Sequence, residues 1–398
     1  MIRHFAIAAA GLALFAGIAS PAFAQEGKTS TEGLDMQAAR AKMMTARGKK
    51  IAYTSKWDLS GLPKYEPKQK ISGTLRMWGS NYITDGFLGG YWETAFKKFH
   101  PDVQFDLRMK TTLAAVPSLI FGASDIGIGR KITFSEQELF ERYTDRPPIE
   151  IEVATGSYDV PGWQPGYGVV VHRDNPLQQV TMKQLDGIFG AERAGGWEGT
   201  SWRPDRARGP EEDIRTWGQL GLTGQWKDKK INVYGLTLRY HQATEISDIV
   251  LKGSDKWNEH LKIYANYVSA AGKLERSMNQ DLANDRYGIG IIAAPTTSLG
   301  SGASQPALRV LPVAQTDAGP YVPYTLETLH DRSYPLYDRI YAYTDRAPGK
   351  PMDPRVLEFL RFVLSQEGQA DVMRDGKYLP LTAEVAKAQL KKLEDAAK

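Results

Sequence analysis

The chain has 398 residues, a formal net charge of +4 and no cysteine. The missing cysteines exclude disulfides and thiolate metal ligands, and a net charge this small for the length argues against a nucleic-acid-binding surface. A hydrophobic fraction of 42% and an aromatic fraction of 10% are typical of a globular protein. The length is sufficient for two lobes rather than one.

Residues 1–24 have the pattern of a secretory signal peptide. Arg3 precedes a continuous apolar run, and the stretch AFA supplies a small-x-small cleavage pattern directly before Gln25. The apolar run is short for a membrane span, so an uncleaved membrane anchor is the weaker alternative. We therefore expect an exported protein whose residues 25–70 form an extended or partly helical arm outside the core.

Strands and helices alternate in the next part of the chain. The predicted elements are a strand at 73–80, a helix at 86–101, a strand at 103–109, a helix at 114–122, a strand at 125–129 and a helix that begins at 134. The first of these helices has four apolar residues at helical spacing: Phe87, Tyr91, Ala95 and Phe99. Ser135 and Glu138 form a capping-box pattern in the third helix. This order predicts a mainly parallel sheet flanked by helices.

Polar residues follow each of the three predicted strands. The strand ends are Ser80-Asn81, Thr111-Thr112 and Gly129-Arg130. Because ligands of such sheets bind beyond the carboxyl ends of the strands, we expect these residues to lie close together. Hydroxyl groups, helix-end amides and a guanidinium together predict an anion site. The alternative for Arg130 is a surface charge paired with Asp125 or Glu136.

Strands and helices also alternate in the second half of the chain. The predicted elements are a strand at 166–176, a helix at 181–190 that Thr181 caps, a strand, polar loop and helix across 229–253, a strand at 286–292, a strand at 334–345 and a helix pair over 354–381. The stretch 195–213 has no core pattern. We therefore interpret it as a loop of the second lobe with solvated charges.

Several of these stretches, in this order and spacing, resemble the PstS-like periplasmic phosphate-binding proteins of ABC importers, which are type II solute-binding proteins. The likeness covers residues 73–381. The stretches that carry it are SDIGIGRKITFSEQE at 124–138, GVVVHRDNPLQQVTMKQLDGIF at 168–189, TWGQLGLTGQWKDKKINVYG at 216–235, YPLYDRIYAYTD at 334–345 and FLRFVLSQEGQADVMRDGKYLPL at 359–381.

The resemblance implies a fold and a set of partners. The fold is α/β, with two lobes of mainly parallel sheet flanked by helices and a double-crossover hinge. Lobe 1 then comprises residues 71–162 and 331–398, and lobe 2 comprises residues 163–330. The implied protein is a periplasmic monomer that takes phosphate from solution and delivers it to a membrane ABC permease, without a cofactor, a metal or nucleic acid.

The resemblance also implies site residues. In lobe 1 they are Ser80, Asn81, Tyr82, Thr111, Thr112 and Arg130, and in lobe 2 they are Arg239, Gln242 and Thr244. Two positions differ from the family pattern, because Gln242 stands where the family has serine and Ala243 where it has glycine. Asp85 and Glu245 are candidate acceptors for the proton of hydrogen phosphate, which sulfate lacks.

Three functions are therefore compared. The first is capture of phosphate or a related oxyanion for a permease. The second keeps the fold but changes the ligand to an organic phosphate, another anion or a nonpolar solute, or makes the protein a ligand sensor. The third is an exported hydrolase, which the missing G-x-S-x-G motif and the missing carboxylate-rich metal set disfavour. The six histidines, His241 among them, have neither HxxxH nor HExxH spacing.

Overall fold

Two five-stranded sheets form the framework of the computed structural model, which describes residues 53–160, 162–237, 241–264, 278–295 and 307–398. The strands are β1 Gly73–Gly79, β2 Val103–Arg108, β3 Ile126–Gly129, β4 Ile149–Thr155, β5 Tyr167–His172, β6 Val180–Thr181, β7 Gly196–Glu198, β8 Ser201–Arg203, β9 Asn232–Leu236, β10 Lys262–Tyr264, β11 Gly288–Ala293, β12 Leu308–Leu311, β13 Val313–Ala314, β14 Tyr321–Val322 and β15 Arg339–Thr344. The predicted signal peptide and the part of the arm before Tyr53 lie outside the described residues.

Helices cover the two sheets. They are α1 Tyr82–Asp85, α2 Leu88–Phe96, α3 Ala115–Ile120, α4 Phe134–Thr144, α5 Met182–Phe189, α6 His241–Ile249, α7 Met278–Ala283, α8 Leu326–His330, α9 Pro354–Val363, α10 Gln366–Asp375 and α11 Ala383–Ala396. The described residues contain no helix with the length and apolar character needed to cross a membrane.

Each sheet is mainly parallel. The first has the order β2-β1-β3-β15-β4, in which only β15 runs against the other strands. The second has the order β10-β9-β11-β5-β12, in which only β5 runs against the others. The predicted α/β fold with mainly parallel sheets and flanking helices is confirmed. We call the parts built on the first and second sheets lobe 1 and lobe 2.

The chain crosses twice between the sheets. It leaves the first sheet after β4 and enters the second at β5, and it returns to the first sheet at β15. The two crossovers bind each other, since the amide of Gly156 donates to the carbonyl of Asp338 at 2.8 Å and the amide of Tyr167 donates to the carbonyl of Leu336 at 2.9 Å. The strands of the first sheet and those of the second sheet therefore lie on opposite sides of the predicted lobe boundaries. The exact positions of those boundaries stay a prediction.

Each sheet has its own hydrophobic core. In lobe 1 the aromatic side chains of α2 and α9 pack on the sheet, with Phe96 and Phe359 at 5.4 Å between ring centroids. In lobe 2 the core includes Leu185 and Phe189 of α5 and the buried Trp217. Full burial of one such side chain stabilises the fold by roughly 2–3 kcal/mol.

The described part of the N-terminal arm belongs to the core, so its predicted position outside the core is wrong. Leu59, Leu62 and Tyr65 are buried in the core of lobe 1, although residues 53–70 form neither helix nor strand. Trp57 lies against both cores and stacks on His330 with 3.7 Å between ring centroids. The arm therefore packs across the two lobes.

The predicted helix at 86–101 is present as α2, but its predicted apolar face is wrong by about one position. The buried residues are Leu88, Gly89, Trp92 and Phe96, and Phe87 is 62% exposed. Trp92 and Phe96 are four residues apart and lie on one face of the helix. Trp92 also donates its indole N–H to the carbonyl of Gly368 at 3.0 Å, which joins α2 to α10.

The capping box of α4 lies two residues before the predicted one. Thr133 accepts from the amide of Glu136, and the Glu136 carboxylate accepts from the amide of Thr133 at 2.8 Å, so the helix begins at Phe134. Ser135 is therefore inside the first turn. The predicted cap of α5 is confirmed, because Thr181 accepts from the amide of Gln184 at 3.1 Å.

The stretch 195–213 is more ordered than predicted. Its β7 and β8 form a two-stranded hairpin. The interpretation of its charges as solvated is wrong for Arg208, which is buried at 5% exposure and donates to Asp213 at 2.7 Å. A buried guanidinium needs such a partner, since an unpaired charge in the interior is costly.

Candidate ligand-binding site

The three predicted strand ends meet at one edge of the first sheet. The amide of Ser80 donates to the carbonyl of Ile128 at 2.8 Å, and the hydroxyl of Thr112 accepts from the amide of Arg130 at 3.3 Å. Close approach requires glycine here, because a Cβ on Gly129 would lie 2.2 Å from the hydroxyl oxygen of Thr112. The predicted convergence of these strand ends is confirmed.

Arg130 is a buried cation with a fixed orientation. Its side chain is 5% exposed, and two of its nitrogens donate to the two carboxylate oxygens of Glu136 at 3.0 and 3.3 Å. Asp125 pairs with Arg76 instead, at 2.6 Å. Arg130 is therefore paired with Glu136, as in the alternative, but it is not a surface charge. Its buried Nε has no hydrogen-bond partner among the described residues.

The first turn of α6 in lobe 2 lies across from Arg130. Burial, reinforced by the positive charge of Arg130, lowers the pKa of His241 to about 4, while Glu136 acts in the opposite direction. The His241 ring is therefore neutral at physiological pH. His241, the first described residue of α6, and Arg130 therefore lie near each other where the two lobes meet.

Glu245 introduces an acid into this space. It is buried, one carboxylate oxygen accepts from the hydroxyl of Tyr167, and the other has no hydrogen-bond partner among the described residues. Burial raises the pKa of the Glu245 carboxyl to about 7, against the opposing effects of the Tyr167 hydrogen bond and the Arg130 charge. Glu245 therefore holds a proton more readily than an exposed carboxylate does.

Asp338 places a second acid at the crossover that leads into β15. One of its oxygens accepts from the amide of Arg339 at 2.6 Å, and the other is buried without a partner among the described residues. Burial and the neighbouring Glu245 raise the pKa of Asp338 well above its usual range. The two carboxyl groups therefore lie with the guanidinium groups of Arg130 and Arg339 in the region where the lobes meet.

The other predicted side chains of lobe 1 form local contacts. Asn81 donates to the carboxylate of Asp85 at 2.5 Å, and Thr111 accepts from the amide of Leu113 at 3.4 Å. The ring of Tyr82 lies 4.8 Å from that of Trp163, between centroids. Thr112 is thus the hydroxyl residue that contacts Arg130, and Ser80 is joined to β3 at Ile128, two residues before Arg130.

The predicted side chains of lobe 2 are only partly described. Thr244 donates its hydroxyl to the carbonyl of His241 at 2.7 Å, inside the first turn of α6. Gln242 lies in the same turn and is half-buried. Arg239 lies outside the described residues. Of the two candidate acceptors, Asp85 is exposed and bound to Asn81, whereas Glu245 is buried.

Sequence reasoning missed two residues of this region, Tyr167 and Asp338, and it named Glu136 only as the partner of a surface charge. Glu136 has a local signal, since Thr133-x-x-Glu136 is itself a capping-box pattern. Tyr167 and Asp338 have none, because they meet Glu245 only through contacts between distant parts of the chain.

Comparison with known proteins agrees with the fold. A family model described as a PBP superfamily domain matches residues 66–367. The chain therefore belongs to the PBP superfamily.

Among individual proteins, the chain is 29% identical over 337 residues to the phosphate-binding protein PstS of Pseudomonas aeruginosa, covering 83% of this chain and 90% of that protein. A possible phosphate-binding protein from Planctomyces limnophilus matches 83% of this chain and 100% of its own, at 19% identity and a TM-score of 0.44. PstS from Borrelia burgdorferi matches 79% of this chain and 100% of its own, at 15% identity and a TM-score of 0.47.

Proposed function

We propose that this protein captures phosphate or a related oxyanion between its two lobes and delivers it to a membrane ABC permease. The observation that carries the proposal is Arg130, a buried guanidinium at the strand ends of lobe 1 whose Nε–H lacks a partner among the described residues, opposite the first turn of α6. An oxyanion in that space accepts from the guanidinium and from helix-end amides. The relative from Pseudomonas aeruginosa, a phosphate-binding protein, supports the choice of phosphate.

In this proposal each lobe contributes part of the site. Lobe 1 supplies Ser80, Thr112 and Arg130, and lobe 2 supplies the first turn of α6 together with Arg239. Because the ligand bridges the lobes, its binding stabilises their closed arrangement. Glu136 positions Arg130 and does not contact the ligand. The role is binding rather than catalysis.

Glu245 is the proposed selectivity residue for phosphate over sulfate. Its buried oxygen without a partner among the described residues accepts the proton of hydrogen phosphate. Sulfate carries no proton at neutral pH, so one of its oxygens, itself a hydrogen-bond acceptor, would lie against the Glu245 carboxylate. Two facing acceptors in a buried site cost about 1–3 kcal/mol, so we expect sulfate to bind about 5- to 150-fold more weakly.

The compartment and assembly belong to the same proposal. Residues 1–24 are removed as a signal peptide, and the mature protein is a monomer in the periplasm. Lobe 1 comprises residues 71–162 and 331–398, and lobe 2 comprises residues 163–330. The described arm residues 53–70 extend lobe 1, because Leu59, Leu62 and Tyr65 are buried in its core.

A second candidate ligand is favoured by one observation, the second buried carboxyl group. Asp338 and Glu245 each have an oxygen without a partner among the described residues, whereas a single hydrogen phosphate has one proton to donate. An organic phosphate with hydroxyl or amino groups would provide the additional donors. This candidate keeps the fold and the Arg130 contact and changes only the size of the ligand.

Calorimetric titration of the protein from Gln25 onward with phosphate, sulfate and glycerol phosphate tests both candidates. We expect phosphate to bind with micromolar or tighter affinity and Arg130→Gln to weaken it by about 30-fold or more. Arg142→Gln is the matched control, because Arg142 is 74% exposed and pairs with Glu138 on the same helix. No heat with phosphate would contradict the first candidate, and binding of glycerol phosphate alone would favour the second.

A further inference from the structure

A hairpin of lobe 2 reaches helix α4 of lobe 1. The hairpin consists of β7 and β8, and its tip is Gly199-Thr200. The hydroxyl of Thr200 lies 2.8 and 3.0 Å from the two carboxylate oxygens of Glu141 and donates to them. Gly199 packs closely on the same helix, since a Cβ on it would lie 2.8 Å from the amide nitrogen of Gln137.

An aromatic contact lies beside this hydrogen bond. The ring of Trp197 in β7 lies 4.8 Å from that of Phe134, the first residue of α4, between centroids. Trp202 in β8 packs on the other side of Trp197 at 5.1 Å. Trp197 and Phe134 are 38% and 42% exposed. This contact between the hairpin and α4 is therefore small and lies at the protein surface. It involves residues in the first and third turns of α4.

The base of the hairpin is rigidly fixed to lobe 2. Arg193 forms two hydrogen bonds of 2.6 Å with the carboxylate of Asp186 in α5, and both side chains are buried. Arg206 donates to the carbonyl of Trp197 at 2.6 Å and to that of Lys252 at 3.2 Å. Buried bidentate pairs of this kind hold a segment in one orientation. The hairpin is thus a stiff arm rather than a free loop.

The helix that the hairpin touches is also the helix that holds the anion-site cation. Glu136, in the first turn of α4, binds Arg130, and Glu141 lies five residues further along the same helix. The contact with Thr200 therefore fastens to lobe 2 the element of lobe 1 that positions Arg130. No such contact is required by the fold of either lobe, because each has its own core.

We propose that the β7–β8 hairpin is a latch that stabilises the closed arrangement of the two lobes. Its contacts with α4 exist only when the lobes are together, so their free energy is added to the closed state and is lost on opening. The latch sets the ratio of closed to open molecules at a distance from the ligand. The proposal concerns that equilibrium alone and does not depend on which ligand the protein binds.

The test measures the distance between the lobes. Because the chain has no cysteine, Lys110→Cys in lobe 1 and Lys256→Cys in lobe 2 provide the two thiols for spin labels, and both lysines are exposed. Distance distributions are recorded for the labelled protein from Gln25 onward, without ligand and with 1 mM phosphate as about a saturating concentration for micromolar affinity. The variants are Thr200→Val, Trp197→Ala and Glu141→Gln.

We expect Thr200→Val and Trp197→Ala each to lower the closed-to-open ratio by about 3- to 10-fold. Thr200→Val combined with Glu141→Gln should change the ratio by less than the product of the two single effects, because the residues form one hydrogen bond. Thr316→Val is the matched control, since Thr316 is exposed and, within the described part of the chain, its hydroxyl bonds only to Gly319 in its own turn. It should leave the ratio unchanged.

Distributions that are identical in the parent, Thr200→Val and Trp197→Ala, with and without phosphate, would overturn the latch. A shift in the ligand-free distributions together with no response to phosphate in any variant would leave the latch standing and contradict the proposed ligand instead. Trp197 and Thr200 lie on the surface, and an unchanged thermal unfolding midpoint of each variant separates lobe opening from loss of fold.

Discussion

The hydroxyl of Tyr167 donates a hydrogen bond to the carboxylate of Glu245, and both side chains are buried. Tyr167 begins the strand that follows the first crossover, and Glu245 lies in the second turn of α6. The bond therefore ties a helix of lobe 2 to the hinge. It satisfies one oxygen of Glu245, and the other oxygen is buried without a hydrogen-bond partner among the described residues.

Glu245 makes the stability of the protein depend on pH. Its folded-state pKa of about 7 lies above the ordinary value of 4.5, so the folded protein binds the proton more tightly than the unfolded chain does. The free energy of unfolding should therefore fall as pH rises from about 4.5 to 7. Asp338, whose pKa burial also raises, acts in the same direction.

Glu245→Gln removes this charge and keeps the acceptor for Tyr167. We expect the variant to be more stable than the parent by about 1–3 kcal/mol at pH 8 and nearly equal to it at pH 5. Urea unfolding at the two pH values measures the difference. Equal destabilisation of the variant at both pH values would show that Glu245 is charged without cost, which contradicts its burial.

The buried pair of Asp186 and Arg193 should be sensitive to loss of one partner. Arg193→Ala leaves the Asp186 carboxylate buried beside Arg208 alone, at 3.8 Å, and we expect a loss of about 3–5 kcal/mol in the free energy of unfolding. Arg203→Ala is the control, since its ion pairs with Glu198 and Asp205 are largely exposed and contribute about 0–1 kcal/mol. Similar urea midpoints for the two variants would disagree with this ranking.

The start of α4 can be tested by removing each candidate cap. Thr133→Ala deletes the hydroxyl that accepts from Glu136, and we expect a loss of about 1 kcal/mol in stability. Ser135→Ala lies inside the helix and should change the thermal unfolding midpoint little, or raise it slightly, because alanine favours helices. A larger loss for Ser135→Ala would restore the capping box at Ser135 and Glu138.

Local patterns predicted much of the fold. The alternation of strands and helices from Gly73 onward and the cap at Thr181 depend on contacts within a few residues, and both are confirmed. The two Ser/Thr-x-x-Glu patterns in TFSEQE are offset by two residues, so spacing alone could not choose between them. The choice depends on where the chain leaves β3, which is a property of the tertiary structure.

Contacts between distant residues were not predictable in the same way. The average composition of residues 53–70 is polar, so composition alone did not indicate that Leu59, Leu62 and Tyr65 are buried. These three residues recur at every third position, and all of them lie in the core. The acids Glu245 and Asp338 are 93 positions apart in the numbering and meet only where the crossovers join the lobes. The strand ends were predictable because parallel strands bring their carboxyl ends to one edge.

Gly129 should be intolerant of a side chain because the edge that carries Arg130 is tightly packed. A Cβ at this position would lie 2.2 Å from the hydroxyl oxygen of Thr112, so Gly129→Ala must displace Thr112 or the end of β3. We expect a loss of about 1–3 kcal/mol in the free energy of unfolding and weaker phosphate binding, since Arg130 follows directly.

Gly90→Ala is the matched control, because nothing lies within 4 Å of a Cβ there and the position is helical, so stability should rise by up to about 1 kcal/mol. Thr112→Ala in the Gly129→Ala background should recover part of the lost stability by removing the clashing oxygen. Urea unfolding of the three variants decides the matter, and a Gly129→Ala protein as stable as the parent would mean that the strand ends approach less closely than 2.2 Å implies.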